Sequence, residues 1–401
     1  MTSTSAPSAA APARDAAART SSLRGIVIGL MGFLTLVDLF AAQAILPSLV
    51  ERYAVSPAAM GLAVNASTLS MAVACLAVGL VSRRLDRRAG IWMSLVALAV
   101  PTVLLAVAPG LGTFTAFRLA QGVLMASAFT LTMAYLAEHS SGEGAARALA
   151  AYVTGVVASN LVGRMVSATV ADSLGLEANF VLFAGLNLAG ALLVIRNLDA
   201  MASMAAVEGR QASIAGEWRR HLGDPALRAS FAIGFLILFA FIGIFTYVNI
   251  VLVWQPIGLS QMSLGIVYLV FLPSMVTTPL AGAVTLRLGP ARTTALGLSI
   301  AGLGLPLLLL PRLDAILAGM VLVGIGTFFA QAVATGFVGR RATGDRAAAS
   351  GLYLASYYLG GLTGAWLLGR LFEQHGWPAV VAAVAAALGL AALASVRLAR
   401  P

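Results

Sequence analysis

Three ionisable side chains lie inside long apolar runs of this sequence, where a charge is costly. Asp38 lies about midway along the first run, Arg118 near the start of the fourth, and Arg164 in the second half of the fifth. Insertion scales put an Asp or Arg at mid-membrane about 2.5–3.5 kcal/mol uphill, so such groups usually face a partner or a water-filled cavity. These three side chains are therefore the candidates for chemistry, and proton binding is the chemistry they allow.

Two effects act on the Asp38 carboxyl group in opposite directions. Burial favours its neutral form and a nearby guanidinium favours its charged form, so helix movement could load and release a proton. One hypothesis makes Asp38 the proton site, with Arg118 and Arg164 setting its affinity for the proton. The alternative is a permanent structural ion pair. Both arginines are expected at a similar depth, because their spans run in opposite directions.

Composition indicates which elements must position these groups. Of the 401 residues, 60% are hydrophobic and 10% charged, whereas about a quarter of the residues in soluble domains are charged. The apolar residues come in runs of about 20, the length of a helix that crosses the hydrocarbon core, and lipid permits helices but not open strands. The sequence predicts an all-α membrane protein with twelve transmembrane helices near residues 25–50, 58–81, 91–109, 112–137, 147–171, 178–196, 227–254, 262–285, 292–311, 313–338, 347–370 and 377–396.

The spans fall into two halves of similar pattern. At an offset of about 200 residues, similar features come into register: Arg87 with Arg287, Tyr152 with Tyr353, Gly163 with Gly364, Asp172 with Glu373, and Gly175 with Gly376. Two parallel halves with a site between them are typical of transporters. We predict two pseudo-symmetric six-helix bundles at 24–196 and 227–397, a disordered cytoplasmic tail at 1–23, and a cytoplasmic linker at 197–226.

Arginine carries the whole positive charge, because the sequence has no lysine and a net charge of +10. Twenty of the 25 arginines fall on the side of the membrane that holds the N-terminus, and only Arg52, Arg312 and Arg370 fall on the other. Cytoplasmic loops carry the positive excess, so both termini are predicted to be cytoplasmic. The arginines do not interleave with aromatic residues along one face, so no nucleic-acid partner is expected.

Three segments carry a resemblance to a known family. Residues 82–90 read Ser-Arg-Arg-Leu-Asp-Arg-Arg-Ala-Gly, which resembles the loop 2–3 motif of the major facilitator superfamily, although Ser82 and Ala89 stand where that motif has glycines. The equivalent after span 8, residues 282–289, has Leu286 in place of the acid. In span 4, Arg118-Leu-Ala-Gln121-Gly122 is similar to the Arg-x-x-Gln-Gly signature of the proton-coupled antiporter branch.

Spans 5 and 11 resemble a bacterial inner-membrane efflux subgroup of the same superfamily, although Asn160 and Leu161 occupy the stretch where the family has a glycine-proline pattern. The resemblance implies the major facilitator fold, a multi-pass protein of the bacterial inner membrane, and drug:proton antiport. It also implies a charged latch on the cytoplasmic side, formed by Asp86, Arg87, Arg88 and Arg287. For the arginines of this loop, Arg83 and Arg84 above all, the alternative is that they only fix topology.

Uncharged polar residues in the apolar spans outline a substrate cavity. The resemblance places their helices around the central cavity, and each side chain could hydrogen-bond a solute; alone, each is more often a contact between helices. The candidates are Gln43, Asn65, Gln121, Asn160, Tyr247, Asn249, Gln331 and Tyr357.

Several other functions find no support in the sequence. His139, His221 and His375 lie in loops or at span ends, and no zinc-protease, paired-carboxylate, phosphate-loop or dinucleotide pattern occurs. We therefore expect no enzyme, no cofactor and no metal, with a proton gradient as the energy source. The leading hypothesis is proton-coupled export of a small, partly apolar compound by a monomer. Uptake or facilitated diffusion of a metabolite is the alternative, and a non-transporting membrane sensor is the alternative from another class.

Overall fold

The protein is helical throughout the described chain. The computed structural model describes residues 10–81, 86–138, 143–198, 214–254, 256–343 and 346–399. Within these ranges no strand occurs, which confirms the all-α class. The first half contains α1 (Ala10–Ala44), α2 (Leu46–Tyr53), α3 (Pro57–Val81), α4 (Arg87–Leu104), α5 (Leu111–Glu138) and α6 (Glu143–Asn197). A short helix, α7 (Ile214–Gly223), precedes the second half.

The second half contains α8 (Pro225–Val253), α9 (Gln261–Val267), α10 (Leu272–Thr277), α11 (Leu280–Leu288), α12 (Pro290–Gly304), α13 (Leu313–Arg341) and α14 (Arg346–Ser395). Single 3₁₀ turns extend α4, α9, α12 and α14 at Leu105–Val107, Tyr268–Phe271, Pro306–Leu309 and Val396–Ala399.

The two longest helices break at equivalent glycines. In α6, Gly175 has φ 88° and ψ 168°, and in α14, Gly376 has φ 75° and ψ −175°. An L side chain rarely adopts this backbone conformation, so glycine is required at both positions. The sequence repeat pairs these same two residues. The two halves therefore share a backbone feature that turns one long helix into two segments.

The described residues contain nine helices long and apolar enough to cross a membrane, and a tenth candidate is the bent pair Ser263–Thr277 and Leu280–Leu288. Reading α6 and α14 as two crossings each, one on either side of its glycine, gives the twelve spans that the sequence predicts. The number twelve remains a prediction. The first apolar span is Leu23–Ala44, and α1 begins upstream of it at Ala10.

Residues 10–22 continue α1, whereas the sequence analysis predicts a disordered tail up to residue 23. The segment is rich in alanine and arginine, which have high intrinsic helix propensity, and it is connected to an apolar helix that provides the nucleus. The division of the chain into tail, bundles and linker remains a prediction.

A close helix contact recurs in both halves. In the first half Gly32 of α1 lies against the backbone and ring of Tyr152 in α6, and in the second half Gly234 of α8 lies against the ring of Tyr353 in α14. A Cβ at either glycine would collide with its tyrosine. Small residues let helix backbones approach closely in lipid, where packing rather than the hydrophobic effect drives association. The predicted pairing of Tyr152 with Tyr353 thus corresponds to one packing feature used twice.

Two features of the repeat differ from the prediction. Arg87 is the first residue of α4, whereas Arg287 lies in the last turn of α11, so the two arginines do not occupy equivalent positions. The eighth span is broken rather than continuous, and its two parts bend by 49°. Pro273 and Pro279 fall within it, and each lacks the backbone N–H that a continuous helix requires.

The two halves contact each other through α3 against α14 and through α6 against α9 and the turn that follows it. Most polar side chains singled out by the sequence lie near these contacts or inside the first half.

Candidate functional site

Arg118 is completely buried and joins three helices of the first half. Its Nε donates to the Val64 carbonyl oxygen at 2.8 Å, and its Nη2 donates to Ser67 Oγ at 3.0 Å, both on α3. Its Nη1 donates to Gln121 Oε1 at 2.7 Å and to the backbone carbonyl oxygen of Asp38 at 3.2 Å. The predicted proximity of Arg118 to Asp38 is therefore present, but the hydrogen bond goes to the main chain.

The Asp38 carboxyl group is buried and forms no direct ion pair with a described residue. Ion pairs elsewhere in the described chain include Arg52–Glu177, Arg312–Asp314 and Arg341–Asp224. Within the same part of the chain, Asp38 Oδ2 is buried with no hydrogen-bond partner. The carboxyl group lies beside Asn187 and Thr102. This conformation thus holds a carboxyl group among neutral polar groups, with a guanidinium close by.

Thr102 connects this cluster to α4 and α6. Its hydroxyl accepts hydrogen bonds from Gln121 Nε2 at 2.7 Å and from Asn187 Nδ2 at 3.2 Å, and it donates to the Leu98 carbonyl oxygen. Gln121, a cavity candidate in the sequence analysis, is therefore used in positioning Arg118. We call Asp38, Ser67, Thr102, Arg118, Gln121 and Asn187 the Asp38 cluster.

Arg164 belongs to a second cluster, apart from Asp38. Its Nε donates to Asn160 Oδ1 at 2.8 Å, one Nη donates to the Phe245 carbonyl oxygen at 3.2 Å, and the other donates to Gln43 Oε1. The guanidinium carbon lies 4.9 Å from the Tyr268 ring centroid and within 6 Å of two phenylalanine rings. Tyr268 donates its hydroxyl hydrogen to Asn249 Oδ1 at 2.6 Å. We call Gln43, Asn65, Asn160, Arg164, Asn249 and Tyr268 the Arg164 cluster.

The Arg164 cluster joins the two halves by hydrogen bonds. Asn249 Nδ2 of α8 donates to the backbone carbonyl oxygen of Gln43 in α1 at 2.9 Å. Gln43 Nε2 donates to Asn65 Oδ1 at 2.7 Å, and Asn65 Nδ2 approaches Thr246 Oγ1 of α8 at 3.4 Å. Four of the eight predicted cavity candidates, Gln43, Asn65, Asn160 and Asn249, therefore meet in one network. All four are fully buried.

A further contact between the halves lies close to this network. Tyr247 of α8 donates its hydroxyl hydrogen to the Ala365 carbonyl oxygen at 2.6 Å, and its ring end packs against Gly61 of α3 and Gly369 of α14. The Ala58 backbone N–H of α3 donates to Glu373 Oε1 of α14 at 2.9 Å. The halves are therefore closed against each other at the end that the arginine count predicts to be outside.

The remaining two cavity candidates lie elsewhere in the second half. Gln331 of α13 and Tyr357 of α14 are partly buried and lie side by side. The Tyr357 ring contacts those of Tyr353 and Tyr358, with centroids 6.2 and 5.5 Å apart. The eight candidates therefore divide among the Asp38 cluster, the Arg164 cluster, the Tyr247 contact and this tyrosine group.

Two residues of the predicted cytoplasmic latch, Asp86 and Arg88, contact the first half in this conformation. Asp86 caps α4, and its carboxylate accepts from the backbone N–H groups of Arg88 at 3.0 Å and Ala89 at 3.4 Å. The Arg88 guanidinium donates to the Ile195 carbonyl oxygen, within the same half. Arg87 is buried and Arg287 is exposed. Arg83 and Arg84 lie outside the described residues. The latch role remains a prediction, and helix capping accounts for Asp86 in this conformation.

A cleft of about 570 Å³ lies where α3, α7, α8 and α14 meet. Apolar side chains such as Leu76, Phe231 and Leu352 make up most of its lining, together with Arg228 and Ser356. An apolar molecule fits such a lining better than a strongly hydrated one.

Several residues of the two clusters were not singled out from the sequence. Asn187 and Tyr268 are polar groups in apolar spans, so the rule that found the other candidates could also have found them. Ser67 and Thr102 carry no comparable signal, because serine and threonine are common in membrane helices. The phenylalanine rings around Arg164 cannot be told from lipid-facing ones in a sequence.

Two helical halves that meet around one buried polar cluster, with a buried carboxyl group inside the first half, are typical of multi-pass membrane transporters. Residues 28–274 and 251–401 match the Major Facilitator Superfamily, and the chain belongs to that family.

Relatives and a solved structure agree with this assignment. The inner membrane transport protein YnfM of Escherichia coli is 27% identical over 369 residues, which cover 92% of this chain and 88% of YnfM. The uncharacterized MFS-type transporter YybF of Bacillus subtilis is 26% identical over 350 residues, 87% of each chain. The crystal structure of a bacterial homolog to the human lysosomal transporter Spinster, inward-facing and occupied, matches with a TM-score of 0.72 at 15% identity over 94% of each chain. The protein therefore has the major facilitator fold and a transporter role.

Proposed function

We propose that this transporter exports a small, partly apolar compound from the bacterial cytoplasm in exchange for protons, by alternating access of its two halves. The observation that carries the proposal is that the Asp38 carboxyl group is buried without a direct ion-pair partner among the described residues. Asp38 Oδ2 has no hydrogen-bond partner among these residues either, and the nearest guanidinium binds the main chain of Asp38. An ionised carboxylate in such a place lacks the direct pairing that buried charges need.

The proposed proton step uses the short distance between these groups. Asp38 holds a proton while its carboxyl group lies among Asn187 and Thr102. A small movement of α1 against α5 brings the carboxylate to the Arg118 guanidinium, which now binds the Asp38 carbonyl oxygen. The new ion pair stabilises the carboxylate, and the proton leaves to water on the side that is open. In this scheme Gln121 and Ser67 position the Arg118 guanidinium, so that it can exchange the Asp38 carbonyl oxygen for the Asp38 carboxylate.

The proposed solute step uses the contacts between the halves. The hydrogen bonds from Asn249 to Gln43 and from Ala58 to Glu373 close one end. Opening that end requires their loss, and closure of the opposite end is where the Asp86, Arg87, Arg88 and Arg287 latch would act. The apolar cleft supports a partly apolar solute. No cofactor enters this cycle, because the proton gradient drives it.

The test is proton movement in everted membrane vesicles that contain the protein. Respiration acidifies the vesicle interior, and a quenched pH-sensitive dye reports proton release when each compound of a panel of drugs and metabolites is added. Compounds that the wild-type protein exports should restore the fluorescence. Asp38→Asn should abolish this response by removing the titratable group, at equal protein level in the membrane. Asp172→Asn, the same change at an exposed position, should respond like wild type.

The alternatives give different outcomes. If Asp38→Asn vesicles release protons as wild type does, Asp38 is not the proton site. If compounds cross the membrane without proton movement, the protein is a facilitator. If no compound moves in either direction, the transporter lacks the export function proposed for it.

A further inference from the structure

The Arg164 guanidinium is buried, and the residues of the described chain around it are all neutral. Its described partners are the Asn160 and Gln43 side-chain oxygens and the Phe245 carbonyl oxygen, and the Tyr268 hydroxyl lies beside it. Asp38 is the one acid that lies deep in a predicted span, and it belongs to the cluster around Arg118. A guanidinium so far from water is expected to have an anionic partner for at least part of its working cycle.

A second donor next to Arg164 lacks a partner. Asn160 accepts from Arg164 Nε through its Oδ1, and its Nδ2 is buried with no hydrogen-bond acceptor within the described chain. Asn160 is fully buried. The Arg164 guanidinium and the neutral Asn160 amide donor therefore lie together. Such a pair of donors matches the two oxygens of a carboxylate.

Aromatic rings surround the same guanidinium and continue into the second half. Phe40 and Phe271 lie 5.6 and 5.7 Å from the guanidinium carbon. Phe245 contacts Phe271 with centroids 4.7 Å apart, and Phe241 contacts Phe245 at 4.5 Å. These rings could stack with an aromatic ring whose acidic group faces Arg164. Arg118 has no such surroundings, since its partners are Val64, Ser67, Gln121 and the Asp38 main chain.

We propose that Arg164 and Asn160 bind the carboxylate of an aromatic organic acid, so that the solute is an aryl carboxylate anion. This rests on the proposed function and narrows its solute class. The carboxylate replaces Gln43 Oε1 on the guanidinium. The Gln43 side-chain amide also donates to Asn65 Oδ1, and Asn65 Nδ2 in turn approaches Thr246 of α8. Displacement of the Gln43 side chain therefore loosens this link between the halves, whereas the bond from Asn249 to the Gln43 backbone carbonyl oxygen does not depend on that side chain. Solute binding at Arg164 thereby favours opening of this end.

The test measures binding to the purified full-length protein in detergent. The probes share one ring system and carry an anionic, a neutral or a cationic head group: 2-naphthoate, 2-naphthamide and 2-naphthylmethylammonium. By calorimetric titration, naphthoate should bind at least about tenfold more tightly than either of the others, a difference of about 1.4 kcal/mol.

Two variants test the assigned residues. Asn160→Asp supplies an internal carboxylate to Arg164, so the variant should fold and lose naphthoate affinity at least about tenfold. Asn197→Asp is the matched control, because Asn197 is exposed at the end of α6 and bonds only its own helix; its affinity should equal that of wild type.

The proposal is overturned if the amide or the amine binds wild type as well as naphthoate does, if naphthoate does not bind, or if Asn160→Asp binds it normally. The wild-type comparison decides the proposal even if Asn160→Asp does not fold. Export in everted vesicles is measured with neutral and cationic compounds too. If these move protons while naphthoate fails to bind, the transporter proposal stands and only the solute class is wrong.

Discussion

At the scale of single residues, the sequence predicts that Asp38, Arg118 and Arg164 are held inside the protein, as they are, but not the direction in which each side chain points. The proton-site hypothesis puts Arg118 close to Asp38, and the Arg118 guanidinium does donate to the Asp38 backbone carbonyl oxygen. Counting along spans of opposite direction puts Arg164 at the depth of Arg118, but Arg164 lies in another cluster. Successive residues of a helix point about 100° apart, so a shared depth does not imply a shared face. A single sequence does not fix how each helix is rotated about its axis.

A charged residue outside the spans, Asp224, gives the stability of the fold a pH dependence. Asp224 caps α8, where its carboxylate accepts from the N–H groups of Ala226 and Leu227, and it pairs with Arg341 at 2.9 Å. Partial burial raises the pKa of this carboxyl group, but the hydrogen bonds from Arg341, Ala226 and Leu227 outweigh that effect and hold the pKa below the ordinary 3.8. The carboxylate therefore stabilises the fold above pH 3.8, and this stabilisation is lost as the pH falls through the lowered folded-state pKa.

We predict that Asp224→Asn lowers the unfolding free energy by about 0.5–1 kcal/mol at pH 7, because asparagine can still cap the helix but cannot pair with Arg341. Thermal unfolding in detergent should show this cost at pH 7 and much less of it at pH 3. Asp172→Asn, at an exposed position, should show no comparable cost at either pH. A cost for Asp224→Asn that is equal at both pH values would exclude the ion pair as its cause.

At the scale of elements, the class and position of the helices could be predicted, and their breaks only in part. Apolar length predicted the spans, and the repeat paired Gly175 with Gly376. The sequence placed a loop between spans 5 and 6, around Asp172 and Glu177, whereas α6 runs through this region and breaks at one glycine. Charged residues mark where a helix leaves the lipid, but they do not end the helix. The break between α9 and α11 follows from prolines that apolar length alone ignores.

We predict that Gly175→Ala destabilises the protein by about 1–3 kcal/mol, because alanine is strained at the observed positive φ. Apart from the helix's own backbone and the chain neighbours, no atom of the described residues lies within 4 Å of the site that a Cβ would occupy, so backbone strain alone accounts for the cost. Gly185→Ala in the same helix is the matched control. A Cβ there also meets open space, and the substitution should be neutral or stabilising by up to about 1 kcal/mol.

Thermal unfolding of the two variants in detergent measures the difference. Equal melting temperatures would mean that the break at Gly175 does not need the conformation that glycine allows.

At the scale of the whole molecule, the sequence predicted two halves but not which end is closed. Every conformation of a two-bundle transporter uses the same helices and the same apolar faces, so hydrophobic pattern does not distinguish them. The closed end is held by contacts between residues that are far apart in sequence, such as Ala58 with Glu373 and Gln43 with Asn249. The central claim is that these contacts must separate for solute to pass.

A reversible disulfide across the closed end tests that claim most directly. A Cβ at Gly265 of α9 would lie 3.2 Å from the Ala168 Cβ of α6, across the two halves at this end, near the about 3.8 Å typical of a disulfide. The pair Ala168→Cys and Gly265→Cys is placed in a Cys75→Ser background, since Cys75 is the chain's one cysteine. The control pair, Leu34→Cys and Gly190→Cys, joins α1 to α6 within one half, where the corresponding Cβ distance is 3.1 Å.

Transport of a panel compound that wild type moves is then measured in vesicles before oxidation, after oxidation and after reduction. Oxidation of the pair at positions 168 and 265 should reduce the rate at least about tenfold, reduction should restore it, and the control pair should transport at the same rate throughout. Full transport by the completely cross-linked protein would contradict the account, because solute would then pass without separation of the halves at this end.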